Sequence, residues 1–350
     1  MNIRDRKIYY ALMTLIGLMG ILTSCHREEI PNDPQQSQTP ISFTPTSDWP
    51  TLTKAIYEDV THLNGDGIVV WADLESTPVF GDNGTKAYYP DWSYSPAKYW
   101  TPSEHGYNFA AVLPASIFNA SHPEEDEIFG ITGEFSDGEL TLNFGDDGFD
   151  LNDNKQTDLM VAFAHQDYTS SDFTNGLTPG AVNFSFNHQL VQLKFQIKNL
   201  IEIGNTEITP SICLTKFSVS GFHSVVKSAV FTESSAEWTP RNETEGDTCE
   251  YTGNPVIIDN GSSELIISSI LAIPETSCNL TVSVEHTEVL GDNSIEYQSQ
   301  SKSATISGGP WEAGKTYVYP LKITKSGIIF LDPTVTDWQP GGEVGNIEFK

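Results

Sequence analysis

The stretch Val182-Asn183-Phe184-Ser185-Phe186-Asn187-His188-Gln189-Leu190-Val191-Gln192-Leu193-Lys194-Phe195-Gln196-Ile197 alternates apolar and polar residues twice, in opposite phase. Val182, Phe184 and Phe186 hold the even positions, and Val191, Leu193, Phe195 and Ile197 the odd ones. Successive side chains of a strand point to opposite faces, so a period of two marks a half-buried strand and a change of phase marks a break. The break predicts a bulge or tight bend at Asn187-His188-Gln189, with His188 a core or turn histidine. Leu280, Val282 and Val284 read as another strand, and Tyr317, Tyr319, Leu321 and Ile323 as one more. The continuous run Leu265–Ile273 suits a strand buried on both faces. Helical periodicity is nearly absent, with Thr51–Val60 the one short candidate. Short strands between Gly, Pro, Asn and Asp clusters predict an all-β chain of sandwiches.

Upstream of these strands, Arg4, Arg6 and Lys7 precede an apolar run from Ile8 to Leu22. The run is short for a bilayer span and is followed by polar sequence, so it reads as a secretory signal. Residues 1–24 are expected to be removed. Leu22-Thr23-Ser24-Cys25 resembles the lipobox of bacterial lipoproteins, which implies diacylation of Cys25. Two acyl chains anchor stably where one is marginal. Acidic Glu28 and Glu29 resemble the surface-export signal of Bacteroidetes lipoproteins, so the partner of Cys25 is expected to be outer-membrane lipid, with the chain at the cell surface. Residues 25–40, with Pro31, Pro34 and Pro40, read as an extended lipidated tether.

Loss of residues 1–24 removes Arg4, Arg6, Lys7 and Asp5, leaving 15 basic and 46 acidic residues, a formal charge of −31. Such a surface repels phosphate, so nucleic acid is excluded as a partner. About 325 residues remain, room for two domains. The loop-type cluster Thr174–Gly180 predicts a boundary, with one sandwich over 41–176 and another over 181–350. Cys213, Cys249 and Cys278 allow one disulfide at most, and sequence does not choose the pair. No Cys-x-x-Cys is present, so zinc-ribbon and thioredoxin-type chemistry is excluded.

Reaction motifs are missing as well. Histidines 62, 105, 122, 165, 188, 223 and 286 are scattered, without His-x-His or His-Glu-x-x-His spacing. No nucleophile elbow or Walker-type loop occurs. Asp150, Asn152 and Asn154 match the first three ligand positions of an EF-hand loop, but Lys155 and Val161 replace its Gly and Glu, so an acidic turn is the reading and no metal is expected. Among 46 acidic residues some pair always suits a glycosidase, which makes that signal worthless without geometry. Neither catalytic residues nor a cofactor are expected. Tyr88, Tyr89, Trp92, Tyr94, Tyr99 and Trp100 form the densest aromatic stretch. Such rings stack on sugars, and they also fill sandwich cores. Tyr88 and Tyr89 sit beside a Pro-Asp turn, which favours the core; Tyr88, Tyr89, Trp92 and Trp100 are the candidate glycan contacts.

Several blocks carry a family resemblance. Gly65–Ala72, Tyr88-Tyr89-Pro90, Thr157–Ala162, Phe184–Leu190 followed by Leu193-Lys194-Phe195, Leu271–Pro274, Trp311–Tyr317 and Val335–Trp338 resemble the fimbrillin-like family of Bacteroidetes lipoproteins, which build or anchor type V pili. The resemblance implies two tandem transthyretin-like β-sandwich domains and no enzymatic activity. It implies other fimbrillin-like pilus subunits as partners, joined by strand exchange after an N-terminal strand is lost. Thr53-Lys54-Ala55 stands where members often carry Thr-Arg-Ala, so Lys54 and Ala55 flank the implied maturation cut, with Lys a departure from the family pattern. The function expected is a structural or anchoring pilus subunit contributing to adhesion. The alternative is a surface lipoprotein that binds host or microbial glycans through the aromatic stretch.

The lipobox generates a direct expectation. Cys25→Ser should abolish radiolabelled palmitate incorporation and leave unprocessed or released protein; undiminished labelling would contradict the anchor.

Overall fold

The computed structural model describes residues 39–45, 67–119, 131–145, 148–151, 158–202, 210–240, 247–251, 255–290, 295–296 and 300–338. Fifteen principal strands carry the fold. They are β1 Phe43–Pro45, β2 Gly67–Leu74, β3 Tyr107–Leu113, β4 Thr132–Ser136, β5 Glu139–Asn143, β6 Met160–Gln166, β7 Val182–Phe184, β8 Val191–Asn199, β9 Ser211–Phe222, β10 Val225–Phe231, β11 Ala236–Pro240, β12 Ser263–Ala272, β13 Cys278–Leu290, β14 Gln300–Gly308 and β15 Lys315–Thr324. Among the described residues the one α-helix is Ser170–Thr174, opened by a Thr169/Asp172 capping box. The candidate helix Thr51–Val60 lies outside the described residues.

The first sandwich is built on a central antiparallel sheet ordered β6-β3-β2, with Asn187–His188 added beyond β6 and Thr77–Pro78 beyond β2. Both of its faces are dry. Val69 and Trp71 of β2, with Ala110 and Val112 of β3 and Val161 of β6, point to one core. Ile68, Val70 and Ala72, with Phe109, Ala111, Met160 and Ala162, point to another. The first core is closed by a second sheet ordered β11-β10-β5-β4, which brings in Phe135, Leu140, Leu142, Ala229 and Phe231. Trp71 crosses between the sheets: its Nε1–H donates to the Gly133 carbonyl at 3.2 Å, and a Cβ on Gly133 would collide with the indole. The other core is closed by β1 and β7, a two-stranded parallel ribbon, together with the aromatic loop 88–100.

The second sandwich packs the sheet β12-β8-β15 on a sheet holding β9, β13 and β14, around Val191, Leu193, Phe195, Ile197, Phe217, Val219, Val282, Tyr319 and Leu321. The expected alternations of residues 191–197, 280–284 and 317–323 all fall on this core. In the run expected to be buried on both faces, Ile270 and Ala272 enter this core while Leu271 and Ile273 enter the first sandwich.

Strand pairing and packing run across the expected boundary at 176/181. Val182, Phe184 and Phe186 belong to the β1 side of the first sandwich, and the hairpin β10–β11 pairs with β5 to complete its covering sheet. The reason is apolar: Val226, Ala229 and Phe231 find their dry surface against the central sheet. The phase change at Asn187–Gln189 is correspondingly larger than a bulge. It is where the chain moves from the β1 ribbon, through a bridge to β6, into β8.

Cys213 and Cys278 are free thiols, and burial, with the Glu275 charge adding, pushes Cys278 up to about 12, so it is inert as a nucleophile. His286 on β13 is fully buried, and among the described residues neither ring nitrogen has a hydrogen-bond partner. Burial, assisted by the Lys302 charge, lowers its pKa from 6.5 to about 4. Its folded value lies below its unfolded one, so the unfolded chain takes up the proton first. The melting temperature should therefore fall as pH drops from 6.5 toward about 4. His286→Leu should flatten that part of the acid slope relative to the parent; identical slopes would contradict the assignment.

Candidate functional site

Residues 39–45 lie in a groove of the first sandwich. Ile41 and Phe43 are 1% and 4% exposed, while the intervening Ser42 faces solvent, as an alternating strand requires. On one side the strand meets the aromatic loop: Ile41 N–H donates to Lys98 O at 2.8 Å, and Trp100 N–H donates to Thr39 O at 3.2 Å. On the other side β1 runs parallel to β7, with Phe43 opposite Val182, Thr44 opposite Asn183 and Pro45 opposite Phe184. Val182 N–H donates to Ser42 O at 2.8 Å.

An aromatic cage sets the register. The Phe43 ring lies 5.3 Å from Tyr94, 5.9 Å from Phe80 and 5.9 Å from Phe184. The Tyr94 hydroxyl donates to Ile41 O at 2.8 Å and accepts from Lys98 N–H at 3.3 Å. Burial raises the Tyr94 pKa above its ordinary 10, partly offset by the Lys98 backbone, so the hydroxyl stays a neutral donor. Among the described residues the strand is held by a three-residue ladder with β7, by its bonds to the aromatic loop and by two apolar side chains. Their burial contributes about 1.5–3 kcal/mol each. That is enough to seat the segment.

The aromatic stretch thus serves mainly as the groove wall. Trp100 is wholly buried, edge-on to Tyr107 and Tyr168 at 4.9 Å each, and so drops out as a glycan contact. Tyr89 and Trp92 pack against the core and meet each other at 76° rather than forming a flat platform. Tyr88 and Tyr99 are 44% and 38% exposed. Phe80 gave no periodic signal in sequence, and only the fold brings it to Phe43. Cys25, Lys54, Ala55, Asn152, Asn154 and the C-terminal stretch from 339 lie outside the described residues.

Elsewhere the titratable groups serve structure. His188 Nδ1–H donates to Asp158 at 2.7 Å and its ring stacks on Trp338 at 4.4 Å. His223 is tied to Glu275, and His165 bridges Asn108 and Asp167 at 2.8 Å each. Among the described residues no group of three metal-ligating side chains converges.

Residues 53–338 match a family model described as fimbrillin-like. The fold is similar to that of a fimbrial protein from Bacteroides vulgatus ATCC 8482, at 14% identity over 86% of this chain and 100% of that one, with a TM-score of 0.56. There is also similarity to the fimbrial anchor protein from Porphyromonas gingivalis, at 9% identity over 85% of this chain and 96% of that one, with a TM-score of 0.38. A search of curated proteins found no match.

Phe43→Ala should destabilise the docked strand by about 3 kcal/mol, and Tyr94→Phe by about 1 kcal/mol through loss of one hydrogen bond. Amide exchange at Ile41 and Val182 measures both; unchanged exchange in Phe43→Ala would contradict the cage.

Proposed function

We propose that this chain, which belongs to the fimbrillin-like family, is a structural or anchoring subunit of a surface pilus and joins the fibre by β-strand donation. The observation that carries the reading is the seating of Ile41 and Phe43 in a groove between β7 and the aromatic loop. The fold shared with a fimbrial protein supports it. In this reading a cut after Lys54 frees the segment containing β1. The emptied groove then takes a strand from a neighbouring subunit, with backbone hydrogen bonds giving affinity and alternate side chains giving register. A bare groove of this kind invites aggregation, so filling must be prompt.

The chain's own candidate donor is Asn346-Ile347-Glu348-Phe349. Ile347 and Phe349 repeat the spacing of Ile41 and Phe43. The chain's remaining Ile-x-Phe triplet, Ile328-Ile329-Phe330, already pairs with β15. Lys54 decides the place in the fibre. A cut subunit accepts a strand, whereas an uncut one keeps β1 and stays tethered to outer-membrane lipid through Cys25, as an anchor. Either role is non-catalytic and belongs at the cell surface, contributing to adhesion.

Limited trypsin treatment of the mature chain should cut after Lys54 before other sites, giving a product that begins at Ala55 and oligomerises. A peptide spanning Thr39–Pro45 should suppress the oligomers. A cut product that stays monomeric and binds no hydrophobic dye would overturn strand exchange. A resistant Lys54 bond in folded protein would assign the anchor role.

A further inference from the structure

We propose that the hairpin β10–β11 is a brace, anchored on the second sandwich, that keeps the first sandwich folded while the β1 groove is empty. The inference rests on the reading of β1 as removable and concerns what then holds the remainder together. The central sheet β6-β3-β2 has two dry faces. Departure of β1 takes Ile41 and Phe43 from one of them and leaves its aromatic wall without those contacts. The sheet then depends on its other cover. Among the described residues, two of the five strands in that cover, β10 and β11, come from the far half of the chain.

β10 sits at the middle of the covering sheet. It pairs with β5 through Ala229–Leu142 and Phe231–Leu140 and with β11 through Ala229–Trp238. Val226, Ala229 and Phe231 are buried in the core beneath. Its root belongs to the second sandwich. β9 ends at Phe222 and β10 begins at Val225, so the whole crossover is His223-Ser224. That dipeptide is held from both sides. Glu275 Oε1 accepts the His223 backbone N–H at 2.7 Å and the ring Nδ1–H at 3.1 Å. Leu151 N–H donates to Ser224 O at 2.8 Å. Glu275 is itself fixed to the second sandwich, where its carbonyl accepts Trp311 N–H at 2.8 Å.

Among the described residues the core of the second sandwich contains none before Val191, so β1 lends it no buried side chain. A strand rooted there by a two-residue link cannot drift away when the groove empties. Glu275 pins the brace, and Phe231, whose ring meets Trp238 at 5.3 Å, is its contact with the first core.

The test uses the full mature chain and empties the groove by substitution. Ile41→Asp with Phe43→Asp undocks β1 without any cut, so resistance of Lys54 to proteolysis would sink the maturation reading and leave this measurement intact. Amide exchange is followed on β3 for the first sandwich and on β8 and β15 for the second. With the brace intact, the undocked protein should keep β3 protection within about tenfold of the parent. Glu275→Ala alone should do the same. Combined with undocking, Glu275→Ala or Phe231→Ala should speed β3 exchange by about a hundredfold or more, while β8 and β15 stay within about threefold. Loss of β3 protection on undocking alone would overturn the proposal, as would full β3 protection in both combined variants. Glu275→Gln keeps an oxygen acceptor for the His223 N–H and should restore most of the protection if the pin acts through that bond.

Discussion

The constraint on which the first sandwich depends is that its central sheet has no wet face. Most antiparallel sheets bury one side and solvate the other. Here β2 sends Val69 and Trp71 one way and Ile68, Val70 and Ala72 the other, and both sets are dry. Two covers are therefore required. One is a sheet completed by β10 and β11 and stapled by the Trp71–Gly133 contact. The other is a thin layer made of β1, β7 and the aromatic loop, closed by the Phe43 cage. The two differ in attachment. The first is rooted in the second sandwich through His223-Ser224, whereas the described part of the β1 segment is attached through its ladder with β7, its bonds to the aromatic loop and two apolar side chains.

That asymmetry gives the fold its mechanical character. In the proposed assembly, β1 is the part of its cover that is exchanged for another strand of like pattern. Parallel pairing with β7 and the Tyr94 hydroxyl on Ile41 O fix where such a strand must lie. Two histidines lie at the junction of the two sandwiches, His188 on Asp158 and Trp338, and His223 on Glu275.

The strands of the second sandwich were legible because half-buried strands write their face directly into a period of two, as at Val191–Ile197 and Leu280–Val284. What the pattern cannot carry is the identity of the core a dry face meets. Val182, Phe184 and Phe186 announce a strand but not that β1 is its partner. The hairpin β10–β11 was hidden further, because a register shift between Val226 and Ser228 breaks its alternation. For the same reason the boundary near residue 180 was placed by loop composition alone, and the chain crosses back after it. The aromatic stretch was visible as a cluster, yet composition does not separate Trp100, wholly buried, from Tyr88, which is exposed. Only the placement of Thr39–Pro45 against the loop gave those rings a purpose.

The central claim is that the groove holding Ile41 and Phe43 in the free subunit holds a neighbour's strand in the fibre. The most direct measurement places a photo-cross-linking side chain at Tyr94, where the native hydroxyl touches Ile41 O, in fimbriae assembled on living cells. Irradiation is expected to join position 94 to a peptide of another subunit, with the cross-linked partner carrying an apolar-x-aromatic stretch. Cross-linking only to residues 39–45 of the same chain, in subunits shown to lie within the fibre shaft, would contradict it.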